Sequence, residues 1–141
     1  MGAPDELLYE YAVIRFVPRV DRQEFINIGL VMMSKRNKWM KALVLYDEER
    51  IKALFPGTDL DCLKKQAKLF EKQEVPEANL PVEEKYRWLT AVKSACLQVS
   101  PSHPGLLQAS PQQTYPASND GISLPELMEK EFFRLFHSLI L

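Results

Sequence analysis

Features that mark the common enzyme classes are missing from this chain of 141 residues. Its five glycines stand singly, so no glycine-rich loop is present to cradle a phosphate. It has two histidines and neither a GxSxG nor an HExxH motif, which argues against a histidine-based triad or a three-histidine metal site. The sequence therefore assigns no catalytic residue, no metal ligands and no cofactor.

Cysteine and long apolar runs are also scarce. The two cysteines, Cys62 and Cys96, match no CxxC or Cys/His ligand spacing, and each falls on a predicted helix where a small buried side chain fits. We expect both to be free thiols in a reducing compartment. No apolar run approaches the roughly 18 residues that span a bilayer, and residues 1–8 lack the basic and apolar regions of a secretory signal. These absences predict a cytoplasmic protein with no membrane partner.

Charge of one sign does not accumulate either. The chain has 18 Lys and Arg against 19 Asp and Glu, a formal net charge of -1, which gives no global electrostatic case for binding nucleic acid. A small basic patch is conceivable near the N-terminal strands, formed by Arg15, Arg19, Arg22, Lys35, Arg36, Lys38 and Lys41. Most of these residues fall in predicted turns, where solvated basic side chains are ordinary. The charge pattern therefore disfavours nucleic acid as a partner.

What the chain does contain is a hydrophobic pattern typical of an α+β fold. Apolar residues alternate with period two up to Tyr46 and recur with a helical period after it. The pattern predicts a small antiparallel sheet with strands at about 9–17, 25–34 and 39–46, and a fourth candidate strand at 105–110. Three to four helices are predicted to pack with the sheet, at about 48–55, 60–73, 82–97 and 124–140.

The length fits a single domain over 1–141. Within it, residues 100–121 are rich in Pro, Ser and Gln and predict a long loop.

The segment from Tyr11 to Met33 carries polar side chains where an ordinary core strand has none. Arg15 lies in the first predicted strand, Glu24 lies just before the second, and Asn27 lies inside it. A buried arginine needs a carboxylate or carbonyl partner, and Glu24 is the nearest carboxylate candidate in sequence. Two interpretations stay open: a structural Arg15–Glu24 pair, or an anion- or carboxylate-binding site built on Arg15 with Asn27 beside it.

Two further features of the same region have local explanations. Gly29 in the middle of the second strand predicts a β-bulge or a close approach of backbone. The carboxylates of Asp21, Glu24, Asp47, Glu48 and Glu49 could converge on a metal ion if the loop after the first strand lies near the end of the third. Asp47 is followed by two glutamates, however, and that is the expected chemistry of a helix N-terminus.

These residues also carry a family resemblance. Tyr-x-Val-Ile-Arg-Phe-Val-Pro, a short gap and then Glu-Phe-Ile-Asn-Ile-Gly-Leu-Val resembles the opening of domain-of-unknown-function family 3037, whose members are small bacterial proteins. By this resemblance the signature positions fall on Tyr11, Arg15, Pro18, Glu24, Phe25, Asn27 and Gly29. The family has no established activity. The resemblance also suggests members encoded beside HipA-like kinases, which implies an accessory role.

The sequence thus favours a non-catalytic accessory or protein-binding module, with a protein partner such as a HipA-like kinase or with a second copy of itself. The candidate polar site comprises Tyr11, Arg15, Glu24, Asn27 and Gly29. The alternative is a hydrolase or nucleic-acid-processing enzyme that uses Arg15, Glu24, Asn27 and nearby carboxylates. The two differ in geometry, since catalysis requires Arg15 and Glu24 at one concave pocket with a further acid in reach.

Overall fold

The computed structural model describes residues 6–72, 79–91, 96–108 and 124–141 of the chain. Its strands are β1 (Glu6–Arg19), β2 (Glu24–Ser34), β3 (Trp39–Val44), β4 (Leu97–Val99) and β5 (His103–Gln108). Its helices are α1 (Glu48–Leu54), α2 (Asp61–Glu71), α3 (Val82–Ala91) and α4 (Leu124–Leu139). A single 3-10 turn, Val20–Arg22, connects β1 to β2.

The strands form one antiparallel sheet in the order β3-β2-β1-β4, and β5 also pairs with β1. β1 is central because it has neighbours along both edges. β2 pairs along one edge. On the other edge, β4 pairs with residues 14–16 and β5 pairs with residues 6–11. A strand that is covered on both faces should carry apolar side chains on both, and the covered part of β1 does so. Its alternate residues Ala12, Ile14 and Phe16 face one way and Tyr9 and Val13 the other.

Each face of the sheet supports its own core. The first core lies under α1, α2 and α3, which contribute the buried residues Ile51, Leu63, Ala67, Phe70, Tyr86 and Leu89. The second core lies under α4, which contributes Leu127, Met128, Phe132, Leu135 and Phe136. The sheet is therefore sandwiched between helices, and the apolar stripe of α4 is used for packing rather than left for a partner.

The α+β class and the antiparallel sheet are confirmed, but some predicted boundaries are wrong. The third predicted helix does not reach residue 97, because α3 ends at Ala91 among the described residues and Leu97 begins β4. Leu97 is buried at the edge of β1, so pairing with the sheet overrides the helical period of the sequence. The candidate strand at 105–110 is seen as β5, and residues 109–121 of the predicted loop lie outside the described residues.

The prediction of free thiols is wrong. Cys62 in the first turn of α2 and Cys96 just before β4 form a disulfide, with their Cα atoms 6.4 Å apart. The two residues are separated by 34 positions in sequence. They meet because both pack in the first core, Cys96 as a buried member and Cys62 against it. Ligand-spacing rules do not detect such a pair.

Among the described residues, no helix has the length and apolar character to cross a membrane.

Candidate functional site

A β-bulge in β2 determines which side chains share the face that α4 covers. Arg15 pairs with Asn27, whereas the preceding residue of β1 pairs with Gly29. Ile28 is therefore the extra residue on β2, and its side chain is buried in the first core. Without the bulge, strand alternation would turn Asn27 toward that core. With it, Asn27 faces α4, and its Nδ2 donates to the Leu139 carbonyl at 3.4 Å.

Arg15, Phe25 and Asn27 form a polar cluster on this face. The guanidinium carbon of Arg15 lies 4.4 Å from the centre of the Phe25 ring, a cation–π contact, and Phe25 is 48% exposed. Nε of Arg15 and Oδ1 of Asn27 are both buried, and within the described residues neither has a hydrogen-bond partner. An unsatisfied donor and an unsatisfied acceptor thus lie on directly opposed residues. Each costs on the order of 1–3 kcal/mol, which a bound polar group would recover.

A cleft of about 340 Å³ opens beside this cluster, between the start of β2 and the end of α4. Phe25 and Asn27 line it together with Arg50 of α1 and Ser138 of α4. None of the described side chains that line it is acidic. The end of α4 at the same cleft carries the Leu139 carbonyl, which accepts from Asn27. Among the described residues, the cleft therefore offers one cationic donor, Arg50, and the buried neutral acceptor Oδ1 of Asn27, which suits a carboxylate with an adjacent N–H group.

The predicted Arg15–Glu24 pair is not formed. Glu24 accepts from Nε of Arg22 at 2.6 Å, and none of the ion pairs among the described residues involves Arg15. Glu24 lines a second cleft, of about 380 Å³, next to the connection between α1 and α2. The sequence proximity of Arg15 and Glu24 was misleading because the turn of Val20–Arg22 carries Arg22, which is closer to Glu24 along the chain.

The remaining predicted site residues have structural roles or lie elsewhere. Tyr11 is half-buried against the second core, with its ring centre 5.3 Å from that of His103 in β5. Gly29 lies where the backbones of β2 and β3 approach closely, since a Cβ atom there would lie 2.7 Å from the Leu43 carbonyl oxygen. Asp47 caps α1 by accepting from the backbone N–H groups of Glu49 and Arg50. Over the described part of the chain, no three His, Cys, Asp or Glu side chains are grouped as metal ligands.

Two residues of the cleft were not anticipated from the sequence. Arg50 follows a helix cap, where a basic side chain looks solvated, and Ser138 looks like a polar position near a helix end. Only the tertiary fold brings both to Asn27. A signal in the sequence was Phe25, an aromatic residue that follows the charged Glu24 at the start of a strand.

A group with a strongly shifted pKa, the Tyr9 hydroxyl, lies on β1 six residues from Arg15, which is roughly 20 Å along the strand. The pKa of the Glu131 carboxyl is lowered, chiefly because Arg134 donates to both its oxygens, at 2.6 and 2.8 Å. Burial and the hydrogen bond to Glu131 raise the pKa of the Tyr9 hydroxyl, which donates to the same carboxylate. This network joins α4 to the sheet, and all its members are paired. It is therefore a structural contact rather than a candidate active site.

Comparison with known proteins identifies a family. A family model described as "Protein of unknown function (DUF3037)" matches residues 11–116, three quarters of the chain, and the matched range includes Arg15, Phe25 and Asn27. A search of curated proteins and a search of solved structures each returned no match. The family description contains no activity, so the geometry of the cleft has to support any functional conclusion.

Proposed function

The chain belongs to the DUF3037 family of proteins of unknown function, and from that premise we propose that it is a non-catalytic accessory module that binds a partner protein at the cleft beside Arg15. The observation that carries the proposal is the isolation of Arg15. Its guanidinium lies over an exposed aromatic ring and forms no ion pair with any described carboxylate. A structural arginine would be satisfied within its own fold.

The chemistry of the cleft favours an acidic segment of a partner. A partner carboxylate in the cleft can accept from Arg50 in the charge-assisted geometry that guanidinium groups provide, and Arg15, which pairs with the lining residue Asn27, adds positive charge beside it. A backbone N–H of the same segment can donate to Oδ1 of Asn27, which is otherwise unsatisfied. The exposed ring of Phe25 supplies an apolar wall. Because these groups bind and orient but include no paired acid and base, the arrangement supports recognition rather than catalysis.

A HipA-like kinase is the first candidate partner, and a second copy of this chain is the other. A bacterial cytoplasm is the proposed location. The oxidation state of Cys62 and Cys96 in cells tests that location, because a reducing compartment keeps most thiols reduced and opposes a disulfide such as the one between them.

The enzyme alternative requires Arg15 and Glu24 at one pocket. Glu24 lines the larger cleft and Arg15 lines neither of the two clefts described, which does not favour that alternative. We therefore treat a hydrolase or nucleic-acid-processing activity as an outcome to be measured on the same variants, not as a second proposal.

The test compares Arg15→Gln with Arg19→Gln. Arg19 lies on the same strand, is exposed and pairs with Asp21, so its loss removes equal charge away from the cleft. We expect the untagged wild-type chain to co-purify with a stoichiometric partner from its host, and Arg15→Gln to weaken that complex at least roughly tenfold, since a desolvated charge pair is worth about 2 kcal/mol or more. Arg19→Gln should bind as wild type does.

The thermal unfolding midpoint of each variant shows whether it is folded, so that a loss of binding is not mistaken for a loss of folding. A partner that binds Arg15→Gln as tightly as wild type would place the interface elsewhere. A wild-type chain that remains a lone monomer and hydrolyses a phosphoester or peptide substrate would replace the binding proposal with the enzyme alternative.

A further inference from the structure

The larger cleft, of about 380 Å³, lies at the far end of β1 from Tyr9 and next to the α1–α2 connection. Phe16, Phe55 and Pro56 give it apolar walls, and Cys96 is among its lining residues. Its charged lining residues balance, with Arg19 and Arg22 against Glu24 and Asp59. The cleft is thus a neutral, partly apolar depression that reaches one half of a disulfide.

The two halves of that disulfide differ in their surroundings. Cys62 is the second residue of α2, where the backbone N–H groups of the first turn favour a negative charge. Cys96 is only 7% exposed and packs in the first core, and its carbonyl accepts from the backbone N–H of Val17. A thiolate is therefore better stabilised on Cys62 than on Cys96, and Cys62 is the better leaving group.

We propose that the larger cleft is a site of thiol–disulfide exchange, at which a low-molecular-weight thiol forms a mixed disulfide with Cys96. The attacking thiol loses its proton to solvent, its sulfur bonds to Sγ of Cys96, and the Cys62–Cys96 bond breaks with its electron pair leaving on Cys62. A second thiol molecule can then release Cys96, which leaves a dithiol on the protein and a disulfide of the small thiol. The proposal is independent of partner binding at Arg15.

The cleft also limits what can react. The attacking sulfur must approach Sγ of Cys96 in line with the S–S bond that breaks, and Cys96 is among the residues that line this depression. Small thiols should therefore react while the protein remains folded. Attack on Cys62 instead would place the leaving thiolate on buried Cys96, among apolar side chains and without a helix N-terminus, which is unfavourable.

The experiment uses the folded wild-type chain and reduced glutathione as the probe. After incubation near pH 7.5, free thiols are trapped with iodoacetamide and the products are mapped by mass spectrometry. We expect one glutathione on Cys96, one carbamidomethyl group on Cys62, and a rate that rises in proportion to glutathione concentration. The circular dichroism spectrum should stay that of the folded protein throughout.

A matched pair of variants tests the role of the cleft. Leu54 lines it and is 54% exposed, whereas Leu45 does not line it and is 53% exposed. Leu54→Trp should narrow the cleft and slow exchange severalfold, and Leu45→Trp should not. Three results would overturn the proposal: glutathione found on Cys62, exchange that proceeds only as fast as global unfolding measured by hydrogen exchange, or equal rates in the two variants.

Discussion

Among single residues, Gly29 controls the geometry of the candidate site. A Cβ atom there would lie 2.7 Å from the Leu43 carbonyl oxygen and 3.1 Å from side-chain atoms of Ile14 and Val44. The first of these neighbours is backbone in the adjacent strand, so it cannot rotate away. Glycine therefore allows β3 to approach β2 closely beside the bulge, and the bulge turns Asn27 toward Arg15.

Gly29→Ala should accordingly destabilise the protein by about 1–3 kcal/mol, because the methyl group overpacks the β2–β3 pair. Gly57→Ala is the comparison: its φ of 82° strains any other residue, but nothing lies within 4 Å of the added methyl. Denaturant unfolding measures both variants. If the Gly29 variant costs no more than the few tenths of a kcal/mol typical of surface changes, the close approach at Leu43 is wrong.

The decisive element is α4, which covers the second face of the sheet. Its apolar stripe supplies the burial, and its polar residues fix its position. Glu131 is almost fully buried, with both oxygens engaged by Arg134 and Tyr9. Lys41 of β3 adds an ion pair with Glu129 at 3.1 Å. Because the end of α4 forms one wall of the smaller cleft, contacts that hold the helix also hold the site.

Replacing Glu131 by Gln should lower stability by about 2 kcal/mol at pH 7, since it removes charge-assisted hydrogen bonds from a buried carboxylate. The Glu131 pKa is lowered in the folded state, mainly by Arg134. Its stabilisation is therefore present above the unfolded carboxyl pKa of about 4.3 and is lost as pH falls through the lower folded pKa.

The measurement is urea unfolding of wild type and variant between pH 7 and pH 2.5. The stability gap should be constant above about pH 5 and shrink below about pH 4. Glu129→Gln serves as a control, because Glu129 is half exposed and its pair with Lys41 is worth about 0–1 kcal/mol. A gap for Glu131→Gln that stays the same at every pH would contradict the role given to the carboxylate.

For the whole molecule, the disulfide ties the helical layer to the sheet. It joins the start of α2 to the residue before β4, a strand of only three residues. β4 pairs with β1 at residues 14–16, so it lies directly beside Arg15. The link therefore closes a chain loop of 34 residues and fixes the edge of the sheet next to the candidate site.

The double variant Cys62→Ala, Cys96→Ala should lose roughly 3–4 kcal/mol, the loop-closure entropy expected for a loop of this length. That is a large part of the 5–15 kcal/mol typical of a folded domain. Chemical denaturation of the oxidised wild type and of the variant measures the difference. A loss below about 1 kcal/mol would show that the bond adds little to stability.

Local sequence pattern was sufficient for most of the fold. Period-two alternation predicted the three long strands, and the two faces of β1 are as its alternation predicts, with Ile14 toward one core and Val13 toward the other. Asp47 caps α1 as expected. The predicted helix boundaries were less accurate. Leu97 continues a helical pattern in the sequence but lies in β4, because its pairing with β1 outweighs the local helical preference.

The sequence by itself determined the α+β class, the principal elements, the family and the set of unusual polar residues on β1 and β2. Only the tertiary structure decided how those residues are used. It separated Glu24 from Arg15, brought Asn27 to Leu139 across 112 positions, and joined Cys62 to Cys96 across 34. The physical reason is the distance along the chain over which each kind of interaction acts. Periodicity and capping act between residues a few positions apart, whereas the partners of a buried charge or a thiol are set by which surfaces pack together.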